Sequence, residues 1–229
     1  MSDSDVGKLN LAALKIKDDQ PVFKKAMSLT LLETKLPDDC LPIHQWIKEG
    51  LEDEDFVNVI DYIITDRGMT LDMYNWHWSA ASGYRDRVII PFYHEGKIVG
   101  YTGRKIKPGK PKYLTDSQSG YVFNLDAQTY DRKFVIVSEG QFDAIAVDGV
   151  AIMTNEPNDA QVHRLSTLGK EIIIVPDRDK PGANVLNHAI KHKWTVSLPP
   201  WGDNIKDIAD AVKEYGHCLL YTSPSPRDS

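Results

Sequence analysis

The chain has 229 residues but only two cysteines, Cys40 and Cys218. Two thiols cannot build a four-cysteine zinc ribbon or a disulfide framework. Scarce cysteine agrees with a reducing compartment. No apolar run approaches the roughly 18 residues that a membrane-spanning helix needs. The start, Met1 to Asp5, is acidic and polar and lacks the apolar core of a signal peptide. Together these absences lead us to expect a cytoplasmic protein with no membrane contact and no zinc. Positive charge is also in deficit: 27 Lys and Arg stand against 33 Asp and Glu, a net charge of −6. On that total, a nucleic-acid-binding surface is disfavoured. The remaining composition, 41% hydrophobic and 26% charged, is that of a globular chain long enough for one large or two small domains.

The total conceals a segregation. Residues 1–82 hold 8 basic and 15 acidic residues, a net of −7. Residues 83–134 hold 10 basic and 5 acidic, a net of +5. Residues 135–229 hold 9 basic and 13 acidic, a net of −4. Within the basic block, Lys97, Arg104, Lys105, Lys107, Lys110 and Lys112 occur with no intervening acid. A solvated loop is one reading. Interleaved Tyr101, Tyr113 and Tyr121 offer the stacking surfaces that single-stranded nucleic acids use, which is the other.

Residues 1–54 form an acidic region with weak periodicity, ending in a helix expected over 42–50. Phe56, Val57, Ile60, Ile63 and Ile64 recur at helical spacing over 54–66, and Gly68 stops that helix. Trp76 and Trp78 read as core. Val88 to Phe92 and Ile98 to Thr102 flank Glu95-Gly96, which predicts a hairpin, and a further short strand is expected at Tyr121 to Asn124. Residues 55–132 thus read as a basic α+β subdomain. From Phe134 the pattern alternates strand and helix. Short apolar strands are expected at Phe134 to Ser138, Val150 to Met153, Glu171 to Val175 and Trp194 to Leu198. Helices are expected at Phe142 to Val147, Asp159 to Leu168, Pro181 to His192 and Ile205 to Glu214. Such alternation implies an α/β unit over 133–216 with a parallel sheet covered on both faces. The Ser/Pro-rich tail, 217–229, breaks the pattern; it is expected to be unstructured and resembles translated adapter sequence, so the chain reads as a fragment.

Acidic residues fall at the ends of those parallel strands. Glu139-Gly140 follows the first, with Asp143 four residues beyond Glu139. Asp177 and Asp179 follow Glu171 to Val175, and Asp203 and Asp207 follow the last strand. Open parallel sheets bind ligands outside their strand carboxyl ends. Carboxylates gathered there repel one another unless a cation intervenes, and hard oxygen donors suit Mg²⁺. Singly, Asp143, Asp179 or Asp207 would read as residues that complement a helix N-terminus.

Glu139-Gly140-Gln141-Phe142-Asp143 and Asp177-Arg178-Asp179-Lys180-Pro181-Gly182 resemble the two motifs of a Toprim domain. Upstream, Arg85 to Phe92, Gly96 to Arg104 and Pro111-Lys112-Tyr113-Leu114 resemble elements of the bacterial and phage-type DNA primase catalytic core, as does the helix end at Arg67-Gly68. The resemblance spans roughly 55–216. It implies a nucleotidyltransferase that makes RNA primers during DNA replication, on a single-stranded DNA template, from ribonucleoside triphosphates, with Mg²⁺ or Mn²⁺. It implies Glu139, Asp177 and Asp179 as catalytic metal ligands, with Asp143 and Asp207 as further ligands at the same edge. It implies Arg87, Arg104 and Lys112 as nucleic-acid or nucleotide contacts. Arg85, Lys105 and Lys107 would add phosphate contacts, and Tyr113 would stack on a base or pack. The family also works with a zinc ribbon and a replicative helicase. This sequence contains neither the ribbon's cysteines nor a Gly-rich Lys-Ser/Thr phosphate loop, so both are expected as partners, the ribbon in cis or in trans. A Toprim nuclease or topoisomerase-like strand cleaver, and a non-catalytic DNA-binding replisome module, are the alternatives.

Overall fold

The hairpin at Glu95-Gly96 forms, and a sheet grows around it. The computed structural model describes residues 30–128, 131–154, 156–178 and 182–216. The expectations for residues 1–29, for Asp179 and for the tail 217–229 lie outside the described residues. Strands β3 (Arg87–His94) and β4 (Lys97–Lys105) pair antiparallel, with Ile90 opposite Thr102. Glu95 and Gly96 take φ of +50° and +76°, the left-handed pair that a two-residue hairpin turn requires. β1 (Cys40–Pro42), β2 (His77–Ser79) and β5 (Tyr113–Asp116) complete a five-stranded sheet in the order β1-β2-β3-β4-β5.

Alternation along β3 sends Val88, Ile90 and Phe92 into a core with Trp76 and Trp78, each at most 1% exposed. Helix α1 (Ile43–Lys48) contributes Ile43 to this core. Helix α2 (Glu54–Asp61) contributes Phe56 and Val59. α2 starts at Asp53, whose carboxylate accepts the amides of Asp55 and Phe56 at 2.9 and 3.3 Å. The helix expected to run to residue 66 changes character at Tyr62. Over Tyr62–Asp66 it widens, and the Arg67 amide bonds the Tyr62 carbonyl five residues back at 3.0 Å. Such widened turns recur at functional sites.

The second sheet is parallel throughout, in the order β7-β6-β8-β9, built from β6 (Phe134–Ser138), β7 (Val150–Ala151), β8 (Glu171–Ile174) and β9 (Thr195–Val196). Its two faces are covered by different helices. Val135 and Val137 pack with Leu165 of α4 (Asp159–Ser166) and with Val185 and Ala189 of α5 (Gly182–His192). Ile136 faces the larger core, which holds α3 (Gln141–Ala146), α6 (Ile208–Tyr215) and the tryptophans of the first sheet. The Phe142 and Trp76 rings stack there at 5.9 Å. The architecture is mixed α/β: a parallel sheet flanked by helices beside an antiparallel sheet.

Two local expectations change. Tyr121 to Asn124 is not a strand; Phe123 makes one bridge to Ala151, and Tyr121, Val122 and Phe123 are buried. Their apolar run reflects burial rather than a ladder. Conversely, β5 was not expected, because four residues of mixed polarity carry no alternation to read.

Arg87 also departs from its expected phosphate role. It is 3% exposed. Its Nε donates to the Gly83 carbonyl at 2.9 Å, Nη2 to Pro111 O at 3.0 Å, and Nη1 to Gly103 O at 3.0 Å and Lys112 O at 3.4 Å. The guanidinium clamps the 111–112 segment onto β4. Arg87→Met would strand several buried carbonyls and is expected to cost about 2–4 kcal/mol of stability in urea denaturation. A loss below about 0.5 kcal/mol, within ordinary surface noise, would remove this clamp role.

Candidate functional site

Each acidic group is delivered by a strand end or a helix start. β6 ends at Ser138, so Glu139 emerges at the sheet's carboxyl edge and Gly140 caps α3. A Cβ on Gly140 would lie 2.7 Å from Asp143 Oδ2, so the absent side chain makes room for that carboxylate. β8 ends at Ile174, and the Asp177 amide just beyond it points at Glu139 Oε1, 3.4 Å away. Asp207 is the N-cap of α6, its carboxylate accepting the Asp210 amide at 2.9 Å. The Ala209 amide in the first turn of α6 donates to Asp143 Oδ1 at 2.9 Å.

Glu139, Asp143, Asp177 and Asp207 line one cleft of about 520 Å³. Its opposite wall comes from the antiparallel sheet: Thr102 on β4, Thr115 and Tyr113 on β5, and Lys112. Thr102 and Thr115 share a hydroxyl hydrogen bond of 2.6 Å across that wall. Arg67 enters from the end of the widened turn. Its Nε donates to the Tyr62 hydroxyl at 2.8 Å, and its guanidinium lies 4.3 Å from the Phe142 ring centroid. Arg104 donates to the same hydroxyl at 3.2 Å and stands 4.8 Å from the Tyr113 ring centroid. Its Nη1 is buried without a hydrogen-bond partner. A buried guanidinium N–H without an acceptor is costly.

The carboxylates are crowded. Burial, then the Asp207 and Asp177 charges, push the Asp143 carboxyl up to about 8 against the pull of the Ala209 amide and Arg67. Burial and then Asp210 raise Asp207, opposed by the Asp210 amide, Arg67 and Lys206. The Lys206 ammonium is 3.9 Å from Asp177 Oδ2. Among the described residues, no group of three or more His, Cys, Asp or Glu is gathered closely enough to hold a metal ion. The donor chemistry nonetheless fits a hard divalent cation, because it is all carboxylate oxygen and its charges repel.

The sequence-derived candidates divide. Glu139, Asp143, Asp177, Asp207, Lys112 and Tyr113 share the cleft, and Arg104 backs Tyr113. Arg85 does not join them: it pairs with Asp53 at 2.5 Å and Asp55 at 3.1 Å. Lys107 pairs with Asp55 at 3.3 Å, and Lys105 with Asp86 at 3.1 Å. Arg67 and Lys206 are cleft residues that sequence reasoning did not select. For Arg67, the signal was its place between the helix and its terminating Gly68. Lys206 sits in an irregular stretch with no motif.

These features define a class, the catalytic core fold of primases. The fold is shared with the RNA polymerase domain of Mycobacterium tuberculosis primase DnaG, at a TM-score of 0.62 and 16% identity over 76% of this chain and 77% of that one. It is shared with the primase fragment of the bacteriophage T7 primase-helicase protein, at 0.52 and 18% over 69% and 70%. It is also shared with a DnaG primase catalytic domain bound to single-stranded DNA, at 0.50 and 17% over 78% and 71%. In sequence, the chain is 31% identical over 130 residues to the DNA primase of Enterococcus faecalis, covering 47% of this chain and 21% of that protein. Against the DNA primase of Rickettsia bellii it is 30% identical over 116 residues, covering 43% and 19%. The chain spans about a fifth of the length of these curated relatives. No protein-family model matches it.

The raised Asp143 carboxyl has a pH signature. An unfolded aspartate titrates near pH ~4, so between there and about pH 8 the folded chain holds the extra proton. Stability of the metal-free protein should therefore fall as pH rises through that window. Asp143→Asn removes the charge, should flatten this fall, and should melt higher than the parent at about pH 8.5. Thermal melts in a chelator across pH check it, and overlapping profiles would show that Asp143 ionises without penalty.

Proposed function

We propose that this chain is a catalytic core of a DNA primase, a nucleotidyltransferase that joins ribonucleotides on single-stranded DNA during replication. The observation that carries the reading is one cleft with a carboxylate wall, Glu139, Asp143, Asp177 and Asp207, and facing cations, Arg67 and Lys112. Resemblance to DNA primases in sequence and fold supports it. In this reading residues 133–216 form the Toprim domain and 55–132 the basic subdomain.

The reaction brings a 3′-hydroxyl onto an α-phosphate and releases pyrophosphate. Glu139 and Asp177, with Asp179, would hold Mg²⁺ or Mn²⁺, and Asp143 and Asp207 would bound the same edge. A bound divalent ion supplies Lewis-acid neutralisation of the charge that builds on the phosphate and leaving group. The remaining work belongs to the cations and rings. Arg67 and Lys112 would face the triphosphate tail, where a planar fork and a point charge both donate to phosphate oxygens. Arg104 is held by the Tyr62 hydroxyl and the Tyr113 face, and its charge behind that ring would add to the nucleic-acid contact. Tyr113, 41% exposed, offers a face to a template base. Arg85, Lys105 and Lys107 are surface charges already paired with acids, which weakens their part. A zinc ribbon and a replicative helicase are the proposed partners, and the cytoplasm, a host's if the gene is a phage's, is the proposed compartment. Among the described residues no helix is long and apolar enough to cross a membrane.

Asp177→Ala should abolish Mg²⁺-dependent dinucleotide synthesis on a single-stranded template while leaving the circular dichroism spectrum and melting cooperativity unchanged. Synthesis at the parental rate by the variant would reject the metal role. Template cleavage without ribonucleotides would instead favour the nuclease alternative. Arg104→Ala should weaken single-stranded DNA or nucleotide binding and lower the salt slope by about 1; an unchanged slope would return Arg104 to a packing role.

A further inference from the structure

Arg178 stands directly after Asp177, but it is not among the residues lining the cleft. That side chain reaches the irregular segment 199–206, which joins β9 to α6. Nη2 donates to the Pro199 carbonyl at 2.7 Å, and Nη1 to Trp201 O at 2.9 Å and Gly202 O at 3.2 Å. The guanidinium carbon lies 5.5 Å from the Trp201 ring centroid. The Arg178 backbone amide donates to the Lys206 carbonyl at 3.0 Å. One residue therefore grips the segment at both ends. Trp201 and Ile205 are buried and anchor the middle.

The segment leads into the far side of the acidic edge. Lys206 approaches Asp177, Asp207 caps α6, and the Ala209 amide reaches Asp143. A stretch without regular ladder bonds does not hold such groups in register by itself. A planar guanidinium can bind three converging carbonyls at once, where an ammonium is a single point charge.

We propose that Arg178 is a positioning residue that locks the 199–206 segment onto the Asp177 loop and so fixes Lys206 and Asp207 against Asp177 and Asp143. The proposal rests on the reading of this edge as the metal-holding side of a nucleotidyl-transfer cleft. It makes the residue between the two aspartates of the Asp-x-Asp motif a structural coupling between two strand ends.

The test compares the full chain with Arg178→Ala and Arg178→Lys in three assays. These are amide hydrogen exchange without metal, calorimetric titration with Mg²⁺ alone, and dinucleotide synthesis. In Arg178→Ala, amides of residues 201–209 should exchange about tenfold faster, with β6 and β8 unchanged. Mg²⁺ binding should weaken about tenfold and kcat should fall about ten- to hundredfold at unchanged template KM, the scale of a misplaced catalytic group. Arg178→Lys should be intermediate in all three, and it carries the test if the alanine variant does not fold. Parental exchange and Mg²⁺ affinity in the variants would overturn the lock. So would a lost template affinity with parental exchange, which would make Arg178 a phosphate contact. If the parent neither binds Mg²⁺ nor makes dinucleotides, the primase reading fails, while the exchange comparison still decides the lock.

Discussion

The buried carboxylate of Asp143 constrains the rest of the site. Only 7% exposed, it sits near two other acids and accepts the amide of Ala209. That bond ties the first helix after β6 to the N-terminus of the last helix, where the helix dipole is positive. Gly140 must lack a side chain for the carboxylate to fit. The same last helix reaches the widened turn at its far end, where the Lys213 ammonium donates to the Asp66 carbonyl at 2.8 Å. There Gly68, at φ +63°, leaves room for the Lys213 stem, which would lie 2.9 Å from a Cβ. α6 therefore spans from the acidic edge to the turn that presents Arg67.

The cations are sorted by the same long-range packing. Three cations of the basic block are answered locally: Arg85 and Lys107 by the acids at the start of α2, and Lys105 by Asp86. Such exposed pairs contribute little stability, typically about 0–1 kcal/mol each, but they redistribute the field. Those at Asp53 and Asp55 offset part of the acid surplus of residues 1–82. The −6 total thus describes neither wall of the cleft.

Local patterns were legible. The hairpin followed from Glu95-Gly96 between apolar runs, because a two-residue turn is a local demand on φ. Strand–helix alternation after Phe134 gave the parallel sheet its helices in the expected order. The places of Glu139 and Asp177 were readable because a residue's position just beyond an apolar strand sets which edge it occupies, whereas Asp207 lies there as the N-cap of α6. Boundaries shifted where pairing was thin, as at the two-residue strands Val150–Ala151 and Thr195–Val196.

The sequence by itself determined the chemistry available: carboxylates beyond strand ends, a basic strip beside them, and the resemblance that joins the two. Tertiary structure decided which members of each group face the cleft. Arg87 and Arg104 lie on adjacent strands and read alike, yet one is saturated by carbonyls and the other keeps a buried N–H unmatched. Arg67 shares the Tyr62 hydroxyl with Arg104 across 42 positions of chain separating that ring from Arg104. Asp143 meets its partner amide across 66. A side chain's charge and reach are local properties, whereas its desolvation and its partners depend on which distant segments fold against it.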